Sequence, residues 1–294
     1  MSWASKRCNP YRINSDKKFR LKDFDPADTG GLHSREHAQE QLDKGIAQMS
    51  ELQDRLYAQD RWALLIVLQA MDAAGKDGVV KHVMSGLNPQ ACQVYAFKQP
   101  SHEELNHDFM WRSNVRLPER GHIGIFNRSY YEEVLVVRVH SAILKNERLP
   151  DELVSKNIWS ERFEDISNYE RYLTRNGIMI RKFFLHVSKK EQKRRFMARL
   201  DDPEKNWKFS AADVREREYW DDYMTAYQEM IAATSRKYAP WFVVPADNKW
   251  YTRLVVAAAI VDALEELKLA YPTVVAAERK ELAAARKELA AGKS

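Results

Sequence analysis

Residues 66–78 read IVLQAMDAAGKDG. An apolar run enters a short turn holding a carboxylate, a glycine and a lysine. A strand that feeds a helix through such a turn can cradle phosphate, because backbone N–H groups and the helix N-terminus point at the same spot. Gly75 permits a backbone conformation that a side chain would hinder, and Lys76 brings a point charge. Ala74, Asp77 and Gly78 complete the expected cradle. The general pattern is G-x-x-x-x-G-K-[ST]. Ala70 stands at its first glycine and Asp77 at its hydroxyl, which normally binds magnesium. Asp72 lies inside the loop. Its plain reading is a turn former or helix cap. Its chemical reading is a replacement metal ligand, or a group that orients an attacking phosphate.

Four further apolar runs follow: CQVYAF (92–97), HIGIF (122–126), IMIRKFFLHV (178–187) and WFVVPA (241–246). With WALLIVLQ (62–69) they make five strand candidates separated by long amphipathic or charged segments. Strands alternating with helices predict an α/β fold with a mainly parallel sheet covered on both faces. Leu42, Ile46, Met49, Leu52 and Leu56 predict a helix over 36–58. Residues 1–36 read as an irregular arm, and no Pro/Gly-rich linker marks a second domain.

The 294 residues carry 47 Lys and Arg against 42 Asp and Glu, a formal charge of +5. So small an excess matters only where the cations cluster. Cys8 and Cys92 form neither a metal signature nor a disulfide framework and are expected as free thiols in a reducing compartment. The N-terminus lacks a secretory apolar core, and the longest apolar run, ALLIVLQAM, is too short to span a bilayer. A cytoplasmic protein without a membrane partner is expected. The eight histidines show no zinc spacing.

Two other segments carry chemistry. In HIGIFNRSYYEEV (122–134) Asn127 and Arg128 stand at a strand end, where open α/β sheets collect ligands. The Asn127 oxygen can bind magnesium or a metal-bound water. Arg128 can clamp phosphate, and Glu132 can add a metal or nucleotide contact. The run SKKEQKRRFMARLDDPEKNWKFS (188–210) places Phe196 and Leu200 on an inward stripe, with Arg195 and Arg199 on the next. A basic run is usually a solvated face. After the fourth strand of such a fold it can also be a lid that neutralises a transferring phosphoryl group.

Taken together, QAMDAAGKDG (69–78), HDFMWR (107–112), IGIFNRSYYEEVLVVRVH (123–140), KFFLHVSKKEQKRRF (182–196), DDPEKNWKFS (201–210) and APWFVVPADNKW (239–250) resemble the family-2 polyphosphate kinases over residues 20–275. FNRS in place of the more common FDRS resembles the third class, which phosphorylates nucleoside mono- and diphosphates. The resemblance implies one P-loop kinase domain, a three-layer αβα sandwich with a five-stranded sheet and a helical lid over 188–220. It implies inorganic polyphosphate as donor, AMP, ADP and ATP as acceptors and product, guanine nucleotides as a further class, and Mg2+ with Mn2+ as substitute. A homo-oligomer, dimer or tetramer, is also implied.

Carried over, Asp72, Lys76, Asn127, Arg128 and Glu132 are the expected catalytic set, and Asp72, Asn127 and Glu132 the metal ligands. Arg112, Arg138, Lys182, Arg195, Arg199 and Lys208 are expected on phosphate. The rivals are an NTP-dependent nucleotide kinase and a non-enzymatic polyanion binder. No nucleic-acid module is recognised. The tail (275–294) repeats RKELAA at 279–284 and 286–291. It reads as an exposed helix or as one that packs on a sister subunit.

Overall fold

The computed structural model describes residues 1–13, 19–204, 206–208 and 210–292. Its order is α1 (Trp3–Cys8), β1 (Arg12–Ile13), α2 (Arg35–Gln59), β2 (Ala63–Gln69), α3 (Lys76–Val83), β3 (Cys92–Ala96), α4 (Trp111–Asn114), β4 (Ile123–Asn127), α5 (Val136–Val139), α6 (Ile158–Arg175), β5 (Ile178–His186), α7 (Lys189–Leu200), α8 (Ala211–Arg215), α9 (Trp220–Thr234), β6 (Trp241–Pro245), α10 (Lys249–Glu266) and α11 (Ala276–Ala290). The sheet order is β1-β6-β5-β2-β4-β3. All neighbours are parallel except β1, which runs antiparallel to β6.

The five expected strands are present within a residue or two of their expected ends. β2 is buried at every position, as befits a strand flanked on both sides and covered on both faces. α10 packs on β5 and β6 and is surrounded by α1, α2 and α3, so its apolar residues run all round it. α6 packs on β5 and against α9. Ser34 caps α2, its hydroxyl accepting from the His37 N–H at 3.1 Å.

The N-terminal arm departs from expectation. It supplies a helix and a sixth, two-residue strand, anchored by buried Ala4, Cys8, Tyr11 and Ile13. Its polar composition hid the four-residue spacing of Ala4 and Cys8. Both cysteines are free. The tail forms α11, none of whose residues is buried. No helix among the described residues is long and apolar enough to cross a membrane.

Candidate active site

The parallel sheet brings the C-terminal ends of β2 and β4 side by side. Leu68 is in register with Asn127, so the turn after β2 meets the turn after β4. The first turn requires two positive φ angles, +61° at Ala73 and +115° at Gly75. An added Cβ at Gly75 would come no closer than 3.8 Å to another heavy atom, so the glycine answers to backbone conformation rather than space. Arg128 has φ +65°. Non-glycine residues seldom adopt that region, and it concentrates at ligand-binding turns.

Asp72, Arg128 and Glu132 form one chain of charge. Arg128 Nη2 donates to Asp72 Oδ1 at 2.9 Å, and its Nη1 donates to Glu132 Oε2 at 3.1 Å. Glu132, with Asp72 behind it, holds the guanidinium pKa above its ordinary value. Lys76 donates to the Ala70 carbonyl at 2.7 Å. Burial, with Arg128 nearby, lowers the Lys76 pKa against the pull of Asp72, Glu132 and Asp77. Asp77, at the position of the usual hydroxyl, accepts from Asn127 Nδ2 at 2.9 Å. The α3 N-terminus, Lys76 and Arg128 thus converge on one mouth beside three oxygen-bearing side chains.

Those side chains suit a hard cation. Asp72 Oδ2, Glu132 Oε1 and Asn127 Oδ1 accept no hydrogen bond among the described residues. The described residues contain no ready-made cluster of three or more acidic, histidine or cysteine ligands. Magnesium takes few protein oxygens and completes its shell with water and phosphate, so the donor set fits it.

The basic side chains divide. Arg195 is 5% exposed and makes five hydrogen bonds: to Glu191 Oε1 and to the carbonyls of Ala73, Ala74, Ala246 and Asp247. A guanidinium has five N–H groups. None is left for phosphate, so Arg195 clamps the loop instead. Lys182 is also removed from any phosphate track. It is fully buried and donates to Glu170 Oε2 at 2.5 Å, Tyr131 Oη at 2.9 Å and the Thr234 carbonyl at 2.9 Å. Burial pulls its pKa down to about 8 despite Glu170.

Arg112 donates to the Lys98 carbonyl at 2.8 Å and lies over Phe97. Arg138 pairs with Glu229. Both hold a protein partner, and Arg138 Nη1 is buried without one among the described residues. Arg199 remains half-buried over Phe196. The inward stripe of α7 is Gln192, Arg195 and Phe196, while Leu200 is 44% exposed. The side chain of Lys208 lies outside the described residues.

Sequence reasoning missed Gln192 and Arg217. Buried Gln192 donates to the Asp72 carbonyl at 2.9 Å, and Arg217 donates to Gln192 Oε1 at 2.6 Å. The three-residue spacing of Gln192 and Arg195 was the available signal, since it places both on one face of α7. Asp213 also looks toward the site: burial and then Asp72 raise its pKa, opposed by Arg199 and Arg128.

The model of the polyphosphate kinase 2 family matches residues 32–271. The chain belongs to the polyphosphate kinase 2 family. It is 53% identical over 275 residues to an ADP-polyphosphate phosphotransferase of Rhodopseudomonas palustris, covering 90% of this chain and 95% of that one. It is 43% identical over 271 residues to an AMP/ADP-polyphosphate phosphotransferase of Meiothermus ruber, covering 92% and 97%. The crystal structure of polyphosphate kinase 2 from Arthrobacter aurescens TC1 superposes with a TM-score of 0.86 at 40% identity, covering 96% of this chain and 98% of that one. The polyphosphate kinase fold read from the motifs is therefore present.

Proposed function

We propose that this polyphosphate kinase is of the third class and transfers a phosphoryl group from inorganic polyphosphate to ADP, giving ATP, and to AMP, giving ADP. The observation that carries the reading is the Arg128 bridge between Asp72 and Glu132 at the mouth of the loop. Polyphosphate already contains a good leaving group. An acceptor phosphate oxygen attacks the terminal phosphorus, the P–O bond to the chain breaks, and the shortened chain departs with its electrons. The same path runs backward. No covalent nucleophile is needed. The protein aligns two anions and spreads the charge that develops between them.

In this reading the loop amides and Lys76 hold phosphate, Arg128 faces the transferring group, and Asp72 orients the acceptor. Asp72, Glu132 and Asn127 would hold Mg2+, or Mn2+ in its place. The ion supplies charge neutralisation between donor and acceptor. Residues 188–220 act as the lid. Arg217 joins its two roots, donating to Gln192 Oε1 and to the Lys189 carbonyl. Arg199 supplies lid charge to the donor. Guanine nucleotides are a further acceptor class, and a cytoplasmic location goes with such substrates. An NTP donor would need a second nucleoside site, which nothing in the described residues favours.

The test mixes purified protein, Mg2+ and polyphosphate with ADP or AMP in separate tubes and follows nucleotides by chromatography. ATP from ADP, and ADP then ATP from AMP, is the expected result. ATP from ADP alone would remove the third-class reading. No product from either would remove the polyphosphate donor.

A further inference from the structure

The family model matches residues 32–271, and the tail follows. Leu269 is the last buried side chain of the body, and Tyr271, Val274 and Val275 beyond it are exposed. α11 then runs through Ala276–Ala290 with Leu282 60% exposed and Leu289 78% exposed. A helix of this length is marginal in water even when rich in alanine. An unpaired leucine stripe makes it a face in want of a cover.

Its charges say what the cover is. Leu282 and Leu289 lie seven residues apart on the helix and form one stripe with Ala285, while Val275 is its extended N-cap and Glu278, on the same face, accepts from the Val275 N–H at 3.1 Å. Arg279 and Arg286 lie along one flank, and Glu281 and Glu288 along the other. Among the described residues none of these four enters an ion pair. Arg279 only caps its own turn, donating to the Val274 carbonyl at 3.2 Å. In a parallel pair related by a two-fold axis, the acidic flank of each helix faces the basic flank of the other. Glu281 then lies against Arg286 of the partner subunit, and the reverse contact follows by symmetry. An antiparallel pair would set arginine against arginine and glutamate against glutamate.

We propose that α11 pairs in parallel with α11 of a second copy of this chain, making a short two-stranded coiled coil outside the kinase body. Leu282 and Leu289 form the seam, and small Ala285 between them lets the backbones approach. So short a seam is weak, so the pairing is concentration-dependent and adds to whatever contact the bodies make.

The experiment uses the full chain in sedimentation velocity across a concentration series. Leu282→Glu with Leu289→Glu should raise the concentration for half-association by ~tenfold or more. Turnover per subunit with ADP should stay unchanged, since these residues lie outside the site. Charge reversal then tests direction. A variant with Glu281→Arg and Glu288→Arg should self-associate poorly, as should one with Arg279→Glu and Arg286→Glu. Mixing the two should restore association.

An unchanged association curve for the double leucine variant would overturn the proposal. So would failure of the mixed variants to recover. An Ala285→Cys chain should cross-link to itself under mild oxidation, because parallel pairing brings the two positions together. Absence of that cross-link at a concentration where the chain associates would overturn the parallel arrangement.

Discussion

Arg128 Nη2 sits 2.9 Å from Asp72 Oδ1, joining a strand-end cation on β4 to a carboxylate inside the loop after β2. The two residues are 56 apart in sequence and meet because β2 and β4 are parallel neighbours. The same guanidinium holds Glu132, so the proposed acceptor and metal carboxylates share one cation. Asp72→Asn removes the charge while keeping the shape. Turnover should fall by ~100-fold or more, the scale of losing a group aimed at transition-state charge. The melting temperature should move little. Steady-state kinetics beside a thermal melt checks this, and near-normal turnover would reduce Asp72 to a turn former.

Arg195 gives a sharper distinction between a phosphate ligand and a clamp. Lysine keeps the charge but cannot span Glu191 and four carbonyls from two loops. Arg195→Lys should therefore destabilise by ~2–4 kcal/mol, because buried carbonyls lose their donors. It should also lower kcat by disordering the Ala73–Ala74 backbone. Urea unfolding together with kinetics decides it. A stable variant altered only in its KM for polyphosphate would return Arg195 to the donor track.

The Lys182–Glu170 pair is buried at 0% side-chain exposure on both partners. Lys182→Met alone leaves a buried carboxylate and should cost ~3–5 kcal/mol. Adding Glu170→Met should recover only part of that loss, because the buried Tyr130 and Tyr131 hydroxyls then lose their acceptor. The KM for polyphosphate of the folded variants should match the wild type. A raised KM in the stable double variant would place Lys182 on the donor path after all.

His186 predicts an acid-sensitive fold. Burial pulls its pKa from 6.5 to about 4, with Asp247 opposing. Between those values the unfolded chain binds a proton that the folded chain refuses. The group's contribution is present above pH 6.5 and is lost as pH falls toward 4. Its full extent is at most about 3 kcal/mol. Chemical unfolding of the wild type and of His186→Asn across that range should show a shallower slope for the variant. Parallel curves would remove His186 as a source of acid lability.

Arg199 is the α7 arginine without a carboxylate or carbonyl partner among the described residues, resting over Phe196 while Arg194 and Arg195 hold Glu191. Arg199→Ala should raise the KM for polyphosphate ~3–10-fold while leaving that for ADP nearly unchanged, with the gap narrowing as salt screens the anion. Initial rates at two ionic strengths measure it. Equal effects on both KM values would assign Arg199 to nucleotide instead.

Five of the six strands, the strand–turn–helix after β2 and the position of Asn127 and Arg128 at a strand end were legible in the sequence, because each rests on local periodicity or on neighbours within a few residues. β1 was not. Two residues pairing with a strand more than 200 positions away carry no pattern of their own. The basic residues were legible as charge but not as role. Arg195, Arg199, Lys182 and Arg138 look alike in the sequence. Whether a cation faces solvent, carbonyls or a buried acid depends on partners brought by other elements.

Periodicity by itself determined that this is an α/β chain, and the order of its motifs carries the resemblance to the polyphosphate kinases, since those properties are held by short stretches. Only the tertiary structure decided that Arg128 bridges Asp72 and Glu132, that Arg195 spends its five N–H groups on the chain, and that Lys182 is locked in the core. Hydrogen-bond partners are assigned by proximity in space, and no residue's neighbours across the sheet are written beside it in the chain.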